Sequence, residues 1–254
     1  HRRGGKVEFK NVTFTYPGAA EPVLHNISFV ALPGETTAFV GSTGSGKSTI
    51  INLIPRFYEV TEGQVLVDDV DVRAMRQKDL RARIGYVSQK AMLFSGTIRD
   101  NITYGNPNAT QEEILRAAAT AQALEFIKEL EGKFDSSIAQ AGTNFSGGQK
   151  QRLAIARALA KNPELYLFDD SFSALDFQTD KALRNALKEE AQGKTVLIVT
   201  QRIATIVNAD KIVVIDKGEI VGQGTHETLL KTCKVYQEIA ASQLAPEELA
   251  RVLK

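Results

Sequence analysis

The residues best suited to chemistry lie together at Gly41-Ser42-Thr43-Gly44-Ser45-Gly46-Lys47-Ser48. Glycines at the first, fourth and sixth places let a backbone curl until successive N–H groups face inward, a geometry that holds phosphate oxygens. Lys47 adds a cation on a long stem, suited to β- and γ-phosphates, and Ser48 adds a hydroxyl suited to Mg²⁺. The spacing meets G-x-x-x-x-G-K-[ST] at every fixed position. Ala38-Phe39-Val40 before it reads as a strand and Thr49 opens an apolar helix, so the helix N-terminus would add its partial positive charge to the cradle. An accidental Gly/Ser turn is the competing reading, and the strand–loop–helix setting argues against it. The spacing predicts a site for a nucleoside triphosphate.

A second group follows the apolar run Leu165-Tyr166-Leu167-Phe168. Asp169 would emerge at the C-terminal edge of a sheet, where ligands of such folds sit, and there it can complete a Mg²⁺ site begun by Ser48. Asp170 comes next and, as a neighbouring strand residue, points elsewhere. Alone, the pair could equally be solvated aspartates capping the next helix.

The elements that must position these groups are legible from periodicity. Val7 and Phe9 alternate with charged residues, then Val12, Phe14 and Tyr16 continue on the opposite parity, predicting a bulge or break near Lys10-Asn11 in an edge strand. Strands are expected at 27–32, 36–40, 64–67, 84–88, 165–168, 195–200 and 211–215, the last turning through Lys217-Gly218 into Ile220-Val221. Thr110 with Glu113 predicts a capping box opening a helix through Ile114, Ala118, Ala121, Leu124 and Ile127. Further helices are expected from about Gly147 to Lys161, near Lys181 to Ala191, and as a short amphipathic tail from Lys234 to Lys254. Apolar strands alternating with helices indicate a parallel sheet covered on both faces, with residues 111–161 as a separate helical lobe.

Composition removes several classes of function. The 254 residues carry 31 Lys and Arg against 30 Asp and Glu, 43% hydrophobic and 24% charged, a soluble globular balance without the basic excess of a nucleic-acid footprint. The longest aliphatic runs, such as Val196-Leu197-Ile198-Val199, fall far short of the roughly 18 apolar residues of a membrane span. The one cysteine, Cys233, allows no internal disulfide and fits a reducing compartment, and three scattered histidines argue against structural zinc. His1-Arg2-Arg3-Gly4-Gly5 reads as a linker remnant outside the fold.

Asn144-Phe145-Ser146-Gly147-Gly148-Gln149-Lys150-Gln151-Arg152 contains the SGGQ tetrapeptide, and with it the chain resembles the ATP-binding cassette (ABC) ATPases. The order of motifs agrees over roughly residues 6–243. Tyr16, in Phe14-Thr15-Tyr16-Pro17, stands where the family has its adenine-stacking aromatic. Gln89 stands at the Q-loop glutamine, a ligand of Mg²⁺ and the attacking water. Ser173-Ala174-Leu175-Asp176 is similar to the D-loop. Leu93-Phe94-Ser95-Gly96-Thr97-Ile98 with Asn101-Ile102 resembles the exporter branch. The resemblance implies a P-loop α/β core with an antiparallel β subdomain and a helical subdomain at about 90–161, followed by a helical tail at 244–254. It implies ATP and Mg²⁺ as cofactors, cradled by Gly41 through Thr49, and a location at the cytoplasmic face of a membrane. It also implies two partners: the transmembrane domain of the same exporter half, and a second nucleotide-binding domain met head to tail. Ser146-Gly147-Gly148-Gln149 opens a helix and so offers free N–H groups and a dipole; in this family they engage the γ-phosphate bound on the opposing subunit.

Three departures from the family pattern carry weight. Asp170 replaces the usual glutamate that acts on the attacking water, and it is one methylene shorter, about 1.5 Å. Gln201, in Val199-Thr200-Gln201-Arg202, replaces the switch histidine and cannot take up positive charge. Ala139-Gln140-Ala141-Gly142 lacks the glutamate of the loop that addresses the membrane domains. Both catalytic departures fall in one site while SGGQ is spared. That pattern implies the degenerate-site half of a heterodimeric exporter, with slow hydrolysis of its own. An ATP-dependent regulatory or dimerisation module with negligible turnover is the alternative. An ABC ATPase acting on nucleic acid is disfavoured by the near-neutral charge and the exporter-like 93–102 stretch.

Overall fold

The computed structural model describes residues 4–253. It opens with two antiparallel strands, β1 (Val7–Phe14) and β2 (Leu24–Ala31), followed by β3 (Thr36–Gly41), the glycine-rich loop and α1 (Lys47–Leu53). Strands β4 (Glu62–Val67) and β5 (Val70–Asp71) are joined by Asp68 and Asp69, both left-handed at φ 50° and 66°. Two positive φ values suit the twist of a two-residue hairpin, and Asp tolerates them better than most residues. The first sheet has the order β2-β1-β4-β5. The predicted bulge is present: pairing slips between Phe9 and Val12, and Asn11 sits at φ 49°. The strand is not at an edge, however, because β1 is bonded on both sides, to β2 and β4. Its charged residues mark the solvent face of an interior strand.

The chain continues through α2 (Gln77–Ala82), β6 (Ile84–Val87), β7 (Gly96–Thr97), α3 (Ile98–Ile102), α4 (Gln111–Thr120), α5 (Leu124–Glu129), β8 (Ser137–Ile138) and α6 (Gly147–Ala160). The helix predicted over 110–127 is two helices, broken where Gln122 adopts φ 61°. Its capping box is only half made. Thr110 Oγ1 accepts the Glu113 N–H, but the Glu113 carboxylate takes the Thr110 hydroxyl proton instead of the backbone N–H. Reciprocal boxes form instead at Thr97 with Asp100 and at Ser146 with Gln149.

The remaining elements are β9 (Leu165–Asp169), α7 (Phe177–Glu190), β10 (Thr195–Val199), β11 (Lys211–Asp216), β12 (Glu219–Gly224), α8 (His226–Thr232), α9 (Lys234–Gln243) and α10 (Pro246–Leu253). The expected single tail helix is thus two, separated at Leu244-Ala245, and Pro246 occupies the first turn, where its missing N–H costs nothing. The second sheet has the order β12-β11-β3-β10-β9-β6, parallel except for β12. Its strands bury both faces. Phe39, Leu167, Leu197, Val199 and Val213 point toward the first sheet and α1, while Val40, Phe168, Ile198 and Val214 face the opposite side, in the core shared with α6, α7 and α9. That two-sided burial is why these strands read as unbroken apolar runs. His1 to Arg3 lie outside the described residues. Gly5 departs from the linker reading, because its N–H donates to the Asp68 carboxylate and its carbonyl accepts from Thr195 Oγ1 at 2.7 Å.

Candidate functional site

The parallel order places the C-terminal ends of β3, β10 and β9 side by side, and the glycine-rich loop, Asp169, Asp170 and Gln201 gather there. At the end of β3 the backbone is crowded: a Cβ on Gly41 would lie 2.3 Å from the Ile215 carbonyl oxygen. Gly46 has φ 102°, and a Cβ there would lie 2.7 Å from a Leu24 methyl, so both conformation and space exclude a side chain. Gly44 has φ 78° with open space around it and is required by conformation alone. The loop folds on itself through the Ser45 N–H to the Ser42 carbonyl at 3.1 Å, and β12's turn supports it through the Gly218 N–H to Ser45 O at 3.0 Å. No side chain caps α1, whose N-cap is Gly46, and no acidic residue stands in its first turn. Those donors therefore remain available to an anion.

Lys47 is buried and bends over the loop, its Nζ donating to Gly41 O at 3.1 Å and Ser42 O at 3.2 Å. Burial lowers its pKa, opposed by the negative charges of Asp170 and Asp169. Ser48, one residue on, donates its hydroxyl to Asp169 Oδ1 at 2.8 Å. Positions separated by 121 residues in sequence thus meet. The Asp169 pKa is raised by burial, against the pull of Ser48 and Lys47. A recessed carboxylate and a hydroxyl beside an ammonium, under a loop of glycines and free N–H groups, form a donor set for a hard divalent cation and a polyphosphate.

Asp170 leaves the strand abruptly at φ 48°, its N–H donating to Val199 O at 2.7 Å. Its side chain meets Gln89, whose Nε2 donates to Asp170 Oδ2 at 3.2 Å. Burial and the neighbouring Asp169 charge raise the Asp170 pKa. The register pairs Val199 with both Phe39 and Asp169, so Gln201 emerges just past β10, between the loop strand and the carboxylate strand. Tyr16 is placed beside the loop's helix, its hydroxyl 2.7 Å from Thr49 Oγ1 and its ring edge-on to Tyr58 at 5.0 Å.

The structure does not bring Ser146, Gly147, Gly148 and Gln149 to this place. No hydrogen bond among the described residues joins them to residues 41–48. Ser146 caps α6 in a closed box, its Oγ accepting the Gln149 N–H at 3.1 Å and its N–H donating to Gln149 Oε1 at 3.0 Å. Gly147 faces open space, and a Cβ on Gly148 would come within 3.3 Å of Ala174 O. Residues 173–176 therefore lie against this helix start.

The sequence matches the ABC transporter family over residues 24–173. The chain belongs to the ABC transporter family. It is 51% identical over 242 residues to an uncharacterized ABC transporter ATP-binding protein of Mycobacterium tuberculosis, covering 94% of this chain and 41% of that protein. It is 46% identical to an ATP-dependent lipid A-core flippase of Haemophilus influenzae, with the same 94% and 41% coverage. A solved structure of a bacterial Atm1-family ABC exporter with ATP bound superposes with TM-score 0.91 at 40% identity, over 95% of this chain and 42% of that one. The chain spans about two fifths of the length of these relatives. Its two large sheets and helical lobe are the ABC ATPase fold.

Two residues of this ABC domain's site were not legible in sequence. Arg202 donates to the backbone carbonyls of Ser173 at 2.7 Å, Leu175 at 3.3 Å and Phe172 at 3.4 Å, and pairs with the buried Asp180 at 3.6 Å. The available signal is negative: no acidic residue lies between Glu190 and Asp210, so a structured Arg202 needs distant partners. Gln243, at the end of α9, bonds the backbone around Gln201. Nothing local in the sequence marks it.

Proposed function

We propose that this chain is the ATP-binding and ATP-hydrolysing engine of a membrane exporter, working at the cytoplasmic face, and that it is the degenerate-site half of a heterodimer. The observation that carries the nucleotide assignment is the Ser48–Asp169 hydrogen bond beside the buried Lys47. Mg²⁺, when bound, supplies positive charge that neutralises phosphate oxygens, and Ser48, Asp169 and Gln89 would hold it. Lys47 and the loop N–H groups bind and orient the phosphates, and Tyr16 offers a face for the base. Asp170, steadied by Gln89, is the candidate to orient the attacking water and take its proton. Its side chain is short for that task, and Gln201 can hydrogen-bond a γ-phosphate oxygen without contributing charge.

Ser146 through Gln149 stand apart from this chain's own loop, which supports their serving a second domain's nucleotide in a head-to-tail pair. A seat for a membrane domain belongs to the same proposal. Phe57, Tyr86 and Tyr104 with Arg81, Arg157 and Lys161 line a cavity of about 190 Å³ between the parallel-sheet core and the helical lobe. Phe57 and Tyr104 are 45% and 66% exposed, which leaves aromatic surface for a partner helix. Among the described residues no helix is long and apolar enough to cross a membrane.

The test is steady-state phosphate release by the chain alone and with an intact-site partner. We expect slow turnover alone, and fast turnover in the pair that Ser146→Arg on this chain abolishes while its own ATP binding persists. Fast turnover by the lone chain overturns the degenerate-half proposal. The same departures at Asp170 and Gln201 favour a second reading, a dimerisation module without turnover, and that reading requires no phosphate release even in the pair.

A further inference from the structure

The turn bearing Gln201 is held from two sides by elements far away in sequence. On one side Arg202 binds the 172–175 backbone and Asp180. On the other, Gln243 closes a two-point clamp. Its Nε2 donates to Gln201 O at 2.6 Å, and its Oε1 accepts the Ile203 N–H at 2.8 Å. One side-chain amide therefore satisfies two backbone groups of one short turn, which fixes the peptide planes on either side of Arg202. The Gln201 side chain is exposed and makes no hydrogen bond among the described residues. No side-chain hydrogen bond among the described residues aims it, so the backbone of the turn sets where it starts from.

We propose that Gln243 is a positioning residue for Gln201, so that the last turn of α9 governs how well this domain distinguishes ATP from ADP. The inference rests on the reading that Gln201 meets the γ-phosphate. Gln243 is itself largely exposed and lies immediately before the break at Leu244-Ala245 that separates α9 from α10. The clamp therefore depends on the docking of the C-terminal helices, which gives those helices a route to the nucleotide site without touching it.

The experiment uses the chain with Mg-ATP and Mg-ADP, reading each affinity by calorimetry and the Ile203 amide by hydrogen exchange. In Gln243→Ala we expect Ile203 to exchange about tenfold faster or more. ATP affinity should fall roughly 5- to 10-fold, the worth of one ordinary hydrogen bond misaimed. ADP affinity should be unchanged. Gln201→Ala should lose the same ATP preference, and the double variant should lose no more, since the two act as one unit. Gln243→Glu keeps the length and the acceptor for Ile203 but removes the donor to Gln201. It should keep Ile203 protected and still lose part of the ATP preference, and it serves if the alanine variant does not fold. An unchanged ATP-to-ADP ratio in Gln243→Ala with faster Ile203 exchange overturns the proposal. Parallel loss of ADP affinity also overturns it, showing a merely structural role. An unchanged ratio in Gln201→Ala locates the failure one step earlier, in the contact between Gln201 and the γ-phosphate.

Discussion

Replacing Asp170 by Glu and Gln201 by His together should raise ATP turnover of the isolated chain far beyond either change alone. Glu carries its carboxylate about 1.5 Å further from the backbone, and a general base acts only within roughly 2.6–3.2 Å of its proton. Recovering a positioned base returns about 10²- to 10⁴-fold, or about 2.7–5.4 kcal/mol of barrier. The structure also sets a cost. Asp170 sits at φ 48°, where Asp is tolerated and a longer side chain gains nothing, so the exchange to Glu should cost about 1 kcal/mol of stability. For a domain of this size that is a Tm lower by about 2–4 °C. The 3.2 Å contact from Gln89 to Asp170 Oδ2 must re-form on the longer side chain. Phosphate release at saturating Mg-ATP, with binding measured separately, gives the rates of the wild type, both singles and the double. The reasoning fails if the wild-type chain alone already turns over at tens per second, or if the double variant gives only the product of the singles.

Lys47→Ala should weaken ATP binding by about 10- to 100-fold by removing a charge-assisted donor from the loop; an unchanged affinity by equilibrium dialysis would contradict the assignment of residues 41–48. Gly46→Ala should destabilise by about 1–3 kcal/mol through its φ of 102° and the Leu24 contact. Gly44→Ala, with open space around it, should cost less, a difference that thermal melts resolve. Without divalent cations Asp170→Asn should melt above the wild type at neutral pH. Raised folded-state pKa values at Asp169 and Asp170 mean that the ionised pair opposes folding above those values and is relieved as pH falls toward 3.8. The gap between variant and wild type should therefore close on acidification, and a gap that widens would refute the sign.

The parts of the fold written in local pattern were legible. The strand ahead of the loop, the two-sided parallel sheet and the helix from Gly147 follow from apolar runs and glycine spacing. So did the bulge at Asn11, because a parity switch survives in sequence. What failed depended on neighbours. The interior place of β1 is decided by β4, which lies 48 residues beyond the end of β1, and the break at Gln122 is held from α6 by Arg152 Nη1, which donates to Gln122 O at 2.8 Å, rather than by any glycine or proline. The meeting of Ser48 and Asp169 was legible because both motifs carry their own chemistry. Arg202 and Gln243 were not, because Gln243 acts on a backbone carbonyl and N–H and Arg202 mainly on backbone carbonyls, groups that no residue type marks.

That distinction bears on why Asp170 and Gln201 depart from the family pattern while Ser146 through Gln149 do not. The Ser146–Gln149 capping box is closed within four consecutive residues and needs nothing from residues 41–48. Its ties to the nucleotide side run through backbone: Gln151 Nε2 to Ser88 O at 3.1 Å, and Ala174 O against Gly148. Arg202 reaches the same 172–175 segment, again through carbonyls. Backbone links are insensitive to the side chain at position 170 or 201. On the proposed reading, the chain can therefore lose catalytic reach in its own site while still presenting an undistorted helix start to a partner's nucleotide.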